Sequence, residues 1–295
     1  HSLRIPRPDL SIKLGTPNAC VACHIADSKL PKEQHPQSPS PNRPAEYADW
    51  LRDAAQGKTA VKAEIDRLNH WADAAAEKWY GPKRKKEPHF AETLLAAREM
   101  RPEAKSKLID LLGNKSQPAI ARATAAMELG LFVDPQTGYS ADVILALREA
   151  LQDKSPEVRA AAIDSLQNGP PEELQKLLLP LLDDESRMVR YRAAQGLSGF
   201  GQADFLGADY RKLKDVSQEL LAASDINNDR AGLHLMLGGF AERRGAPETA
   251  QREYETALAL EPTIFGPRSN LAALWDQQAE EMVRQLNTNR SSDPS

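Results

Sequence analysis

Both cysteines of the chain and one of its six histidines stand together in Cys20-Val21-Ala22-Cys23-His24. Two thiols three positions apart, with an imidazole directly after the second, match the attachment pattern of a c-type haem. Each thiol can form a thioether to a haem vinyl group, and the adjacent imidazole is then held close enough to ligate the iron. Two other chemistries compete for the same residues. A redox-active dithiol is expected after a strand, at the opening of a helix in a βαβ unit, and nothing around Cys20 has that pattern. A structural zinc site needs four ligands, and no second Cys-x-x-Cys or close histidine pair is present. Random placement of so few cysteines and histidines would produce the motif with a chance of roughly one in ten thousand, which favours one covalent haem c. Cys20 and Cys23 are then its anchors and His24 its proximal ligand.

The sixth ligand is open. A methionine ligand would raise the potential relative to a second histidine. Met100, Met127, Met188, Met236 and Met282 lie in repetitive helical sequence, where core filling is the expected role. Bis-histidine coordination is therefore the expectation, with His89, His1 and His70 as distal candidates and His35 inside a proline-rich stretch. Electron transfer by a closed, six-coordinate iron follows from that reading. The alternatives are an enzyme or sensor with an open iron position, or a repeat scaffold in which the haem is mainly a structural staple. No side chains form a recognisable distal catalytic set, so no catalytic residue is assigned and the chain reads as a carrier rather than a catalyst.

The elements that must hold this site change character along the chain. Trp50, Trp71 and Trp79 and most of the histidines precede Phe90, supplying the aromatic walls and nitrogen ligands a haem pocket requires. Pro6, Pro8 and Pro17 are expected to keep the approach extended, with Pro17-Asn18 opening a helix that carries the cysteines. Pro31, Pro36, Pro39, Pro41 and Pro44 read as an extended insertion. Helical spacing resumes over 45–55 and 60–79, where Ile65, Leu68, Ala72, Ala75 and Trp79 recur every three or four residues, and Gly81-Pro82 ends it. The basic run Lys83-Arg84-Lys85-Lys86 reads as a solvated loop; it and Arg4 and Arg7 are also candidates for pairing with haem propionates.

From Phe90 the sequence repeats. Asp153-Lys154-Ser155-Pro156-Glu157-Val158-Arg159 is echoed by Asp184-Glu185-Ser186-Arg187-Met188-Val189-Arg190, with a looser copy from Ser116 to Ala125. Each copy is expected to begin at a Ser cap and to follow an apolar helix, over 104–112, 143–151 and 174–182. One amphipathic hairpin cannot bury its own face, so repetition supplies the partner. The pattern resembles HEAT repeats, a likeness that implies mutual support between the turn Asp and the second-helix Arg. From Ala231, Leu237, Gly238, Ala250, Tyr254, Ala257 and Pro262 fall at tetratricopeptide spacing. Gly238 and Ala250 are expected to allow close helix approach, with Tyr254 filling the space between. Leu271, Ala272 and Trp275 begin a further half-repeat, and His234 reads as a packing residue.

The fold class expected is thus all-α: a haem c-binding helical and irregular segment over 1–89, HEAT-like pairs over 90–207, tetratricopeptide-like pairs over 208–286 and a disordered tail over 287–295. The chain has 295 residues and a net charge of −4, which points away from nucleic acid, and no apolar run approaches the ~20 residues of a membrane span. It begins at His1 with no signal peptide visible, the expectation for a piece of a longer precursor.

In this order of motifs the chain resembles the C-terminal part of a family of bacterial multihaem cytochromes c fused to helical repeats. The likeness rests on residues 1–10 and 15–20 before the motif, on Lys78-Trp79-Tyr80-Gly81, on His89-Phe90-Ala91-Glu92 and on the repeats, while the proline-rich insertion departs from it. The resemblance implies further haems upstream, a redox partner protein or upstream haem domain, protein contacts through the repeats, and a periplasmic or otherwise extracytoplasmic address. It also implies that His1 can serve a neighbouring upstream haem.

Overall fold

A computed structural model describes residues 7–18, 20–21, 43–85, 89–134, 138–167, 171–224, 226 and 228–291. The chain divides into two compact units, His1–Met100 and Arg101–Ser295. The described residues are almost wholly helical, as expected of an all-α chain. A two-residue antiparallel pair, β1 (Val133–Asp134) with β2 (Gly138–Tyr139), interrupts the helices.

In the first unit, α1 (Pro8–Leu14) corrects the expectation of an extended approach. Pro8 stands in its first turn, where a missing N–H costs nothing, and Leu10 and Ser11 are buried. Helix α2 (Arg43–Ala55) includes Pro44 near its start, whereas the rest of the proline-rich insertion, with His35, lies outside the described residues. Helix α3 (Thr59–Tyr80) runs to Gly81, whose φ of +73° suits a residue without Cβ, and buries Ile65, Leu68, Asn69, Ala72 and Ala76 along one face. Of its expected stripe, Trp79 points outward and is 70% exposed. Lys83, Arg84 and Lys85 of the basic run fall on a 3₁₀ turn, Pro82–Lys85, Lys86 lies outside the described residues, and α4 (Phe90–Arg98) follows.

The second unit begins with α5 (Ala104–Gly113) and α6 (Ala119–Leu129), then α7 (Ala141–Ala150) and α8 (Pro156–Leu166), then α9 (Pro171–Leu178) and α10 (Arg187–Gly196). Helix α9 passes into a 3₁₀ segment, Leu179–Asp183, because Pro180 cannot donate to the α-helical ladder. The second helices α6, α8 and α10 pack on one another in succession, as do α5 and α7, so that neighbours bury what a single pair cannot. Alanines fill the seam: Ala125, Ala126, Ala162, Ala193 and Ala194 are fully buried. Met127 and Met188, expected as core filler, are 59% and 40% exposed, and Met100 and Met282 are also exposed.

The repeated Asp and Arg form a ladder. Asp153 Oδ1 accepts the Ser155 N–H at 2.9 Å and Asp184 Oδ1 accepts that of Ser186 at 2.8 Å. Ser155 and Ser186 occupy the cap positions without capping through their own hydroxyls, and Pro118, not Ser116, is the cap of α6. Each arginine reaches the next repeat: Arg122 pairs with Asp153, Arg159 with Asp184 at 2.7 Å, and Arg190 with Glu219 at 2.7 Å.

Helix α11 (Gly207–Ser224) leads to α12 (Ala231–Arg243), α13 (Pro247–Leu260) and α14 (Pro267–Ser291). Tyr254 is wholly buried between α12 and α13. A Cβ at Gly238 would stand 2.4 Å from its ring, so the approach expected of this glycine is real. Burial pushes the Tyr254 hydroxyl up to about 12, helped by its hydrogen bond to Glu242, so it stays a neutral donor. On α14 the packing residues are Leu271 and Leu274, while Trp275 is 50% exposed, a shift of the expected stripe by one turn position. Helix α14 continues through Asn287 to Ser291.

Candidate functional site

Of the motif, Cys20 and Val21 are described; Cys23, His24 and the distal candidate His1 lie outside the described residues. Local chemistry explains the start of the segment. The Asn18 side-chain oxygen accepts the Cys20 N–H at 3.0 Å, an Asx turn of the kind that opens helices, and Cys20 and Val21 are helical. The Asn18 amide donates to Asn69 Oδ1 at 3.0 Å, with both residues 4% exposed. That bond ties the approach to the motif onto α3. Sequence reasoning missed it, because two asparagines 51 positions apart carry no periodic signal.

Val21 is fully buried in a cluster with Ile65, Leu68 and Ala72; Cys20, Trp50, Leu51, Ala54 and Val61 pack against it, partly buried. Val21, the first of the two residues between the cysteines, therefore anchors the motif to α2 and α3, while Cys20 sits at the edge of the cluster. Two thiols, an imidazole, a tryptophan and an aliphatic wall fit a covalently held haem in kind: thiols for the vinyl thioethers, an imidazole for the iron, apolar surface for the macrocycle.

The distal candidates have different surroundings. His89 is the cap of α4: its Nδ1 accepts the Ala91 N–H at 3.1 Å, and its ring lies 4.1 Å from that of Phe90. A neutral imidazole accepting at Nδ1 carries its proton on Nε2, so ligation through Nε2 would require His89 to give up the cap. His70 is exposed on α3, directly after Asn69. Arg7 is held by Asp9 at 2.9 Å, which occupies the guanidinium expected for a propionate; Arg4 lies outside the described residues. Among the described residues no three His, Cys, Asp or Glu side chains form a metal-holding group.

In the second unit His234 is a polar tie, not a packing residue. Its Nδ1 lies 2.7 Å from Glu253 Oε2 and its Nε2 lies 2.8 Å from the Asn228 carbonyl. Burial alone would lower its pKa, but the hydrogen bonds to Asn228 and Glu253 outweigh it and raise the value.

The repeat architecture has a recognisable relative. Residues 144–208 match the family model of HEAT repeats. The HEAT match runs from within α7 to the start of α11 and includes the Arg159–Asp184 rung, the likeness read from the repeated Asp and Arg. HEAT repeats imply contacts with other proteins. No curated protein and no solved structure matches the chain, and among the described residues no helix is long and apolar enough to cross a membrane.

Proposed function

We propose that this chain is an electron-transfer module carrying one haem c on Cys20 and Cys23, with His24 as proximal ligand and the helical repeats as a docking scaffold for partner proteins. The observation that carries the reading is Cys20-Val21-Ala22-Cys23-His24, supported by the burial of its Val21 against α2 and α3. The haem supplies a reversible one-electron couple when bound. The chain's own residues do the positioning: Asn18 and Asn69 fix the entry to the motif, Val21 seats it, and Trp50 with the aliphatic cluster excludes water from one side. Among the described candidates, His70 is engaged in no helix cap, whereas His89 must exchange its cap for the iron; His1 lies outside the described residues. The spacing over 231–262 extends the scaffold with a tetratricopeptide-like pair. Attachment of haem c implies an extracytoplasmic location, and the resemblance to multihaem cytochromes implies a haem-bearing partner upstream.

The test is a pyridine haemochrome spectrum of protein matured by a cytochrome c assembly system, followed by carbon monoxide addition to the reduced form. One covalent haem per chain with no rapid carbon monoxide binding is expected, and Cys20→Ser with Cys23→Ser abolishes the covalent haem. Absence of covalent haem in the parent overturns the reading; rapid carbon monoxide binding replaces the carrier with an open-iron enzyme or sensor.

A further inference from the structure

Where the HEAT match ends, a cleft of about 280 Å³ opens between the turn after α10, one face of α11 and the end of α12. Three cations line it: Lys214, Arg243 and Arg244. Among the described residues none of them has a carboxylate within ion-pair distance, in contrast to Arg122, Arg159 and Arg190 of the ladder. Glu242, next to Arg243, accepts the Tyr254 hydroxyl at 2.7 Å, and Asp204 accepts the Gly201 N–H at 2.7 Å.

Both guanidinium groups are held from behind. Arg243 Nε donates to Ser198 Oγ at 2.9 Å, which leaves the terminal nitrogens of its fork for another acceptor. Arg244 lies over the Phe240 ring at 5.4 Å, a cation–π contact that orients it without neutralising it. Burial lowers the pKa of Arg243, against the opposing influence of Tyr254 and Glu242; the charge is partly desolvated. Three cations brought together repel one another, and a bound anion removes that cost.

The rest of the lining separates one anion from another. Phe200 and Leu213 make part of the wall apolar, with the Tyr210 ring beside them. The volume sits at the lower end of ligand clefts, room for one or two side chains. A carboxylate on a short methylene stem satisfies both surfaces, whereas a free inorganic anion leaves the apolar part unused. The cleft also adjoins repeats of a kind that bind proteins.

We propose that this cleft binds acidic side chains of an extended Glu/Asp-rich segment of a partner protein, with Arg243 and Arg244 as the carboxylate forks and Lys214 as the third charge. The proposal extends the scaffold reading to one site and is independent of the haem.

The experiment is fluorescence anisotropy of a labelled hexaglutamate peptide titrated with the full chain, with hexalysine as control peptide and inorganic phosphate as competitor. Saturable binding of hexaglutamate alone is expected, weakening as salt screens the charges. Lys214→Gln and Arg244→Gln, both exposed positions, each weaken it at least fivefold, while Arg148→Gln, which removes the same charge from α7, leaves it unchanged. Helical content and haem stoichiometry measured on the same samples stay at parent values, separating loss of this site from loss of fold or of the haem reading. Equal binding by the Lys214 and Arg244 variants, no saturable peptide binding, or saturable phosphate binding without peptide binding overturns the proposal.

Discussion

Gly238 shows how much one residue type can decide. A Cβ there meets the Tyr254 ring at 2.4 Å, closer than atoms can approach, so Gly238→Ala must push α12 off α13. The expected cost is about 1–3 kcal/mol, read as a lower urea midpoint. Asp153 is a harder loss. Its side chain is 1% exposed and takes bonds from Lys115 and Arg122. Burial would raise its pKa, but those bonds and the Ser155 N–H hold it below the usual value. Its stabilisation is therefore present above the unfolded pKa of about 3.8 and lost as pH falls through the folded one. Asp153→Ala strands the buried Arg122 guanidinium, and a loss of about 3–5 kcal/mol is expected; exposed Asp142→Ala should stay within about 0.5 kcal/mol. His234 has the opposite sign. Only the imidazolium donates from both ring nitrogens to Glu253 and Asn228, and its folded pKa lies above the unfolded value of 6.5. Its contribution is complete below pH 6.5 and disappears as pH rises through the folded pKa. Thermal melts of the parent between pH 6 and pH 9 should show this slope, and His234→Gln should flatten it. The roles of Gly238, Ala250 and Tyr254 were legible in the sequence because repeat spacing encodes them. The polar partners of His234 were not, since hydrogen-bond complementarity across two helices leaves no periodic trace.

Helix positions were more legible than their ends. The stripe Ile65, Leu68 and Ala72 is buried as its spacing requires, but α1 escaped notice because seven residues give too short a window for a 3.6 period and Pro8 reads both as helix start and as breaker. Pro180 likewise turns the end of α9 into 3₁₀ structure, an outcome that apolar periodicity over 174–182 cannot distinguish from α-helix. The serines before α8 and α10 looked like caps, yet the aspartates two positions earlier hold their N–H groups, because those same carboxylates also receive the ladder arginines. The Asn18–Asn69 bond links the entry to the haem motif with α3. Asn69→Ala leaves the buried Asn18 amide without that acceptor, at a cost of about 1–3 kcal/mol. Faster proteolysis within residues 1–100 is expected, with the repeat unit unaffected.

At the scale of the whole chain, the core of Arg101–Ser295 is built from its own repeats. A fragment of residues 101–295 should keep its helical circular dichroism and melt cooperatively. The Cys20-to-His24 motif and the HEAT-like pairs were legible for different reasons: the motif is local, and the pairs repeat. A distal ligand for the proposed haem is neither local nor repeated, because it depends on which side chain the tertiary fold delivers. The ladder carries one more implication, about inheritance. Arg159 reaches the Asp153 carbonyl and Arg190 the Asp184 carbonyl, each across six positions. Excising residues 154–184 would join Asp153 to Glu185 and leave Arg190 in the place Arg159 held, its far end still on Glu219. The shortened protein should fold with one helix pair fewer. Length in this region is thus a quantity that gene duplication and deletion can change in whole steps, without redesigning a single junction.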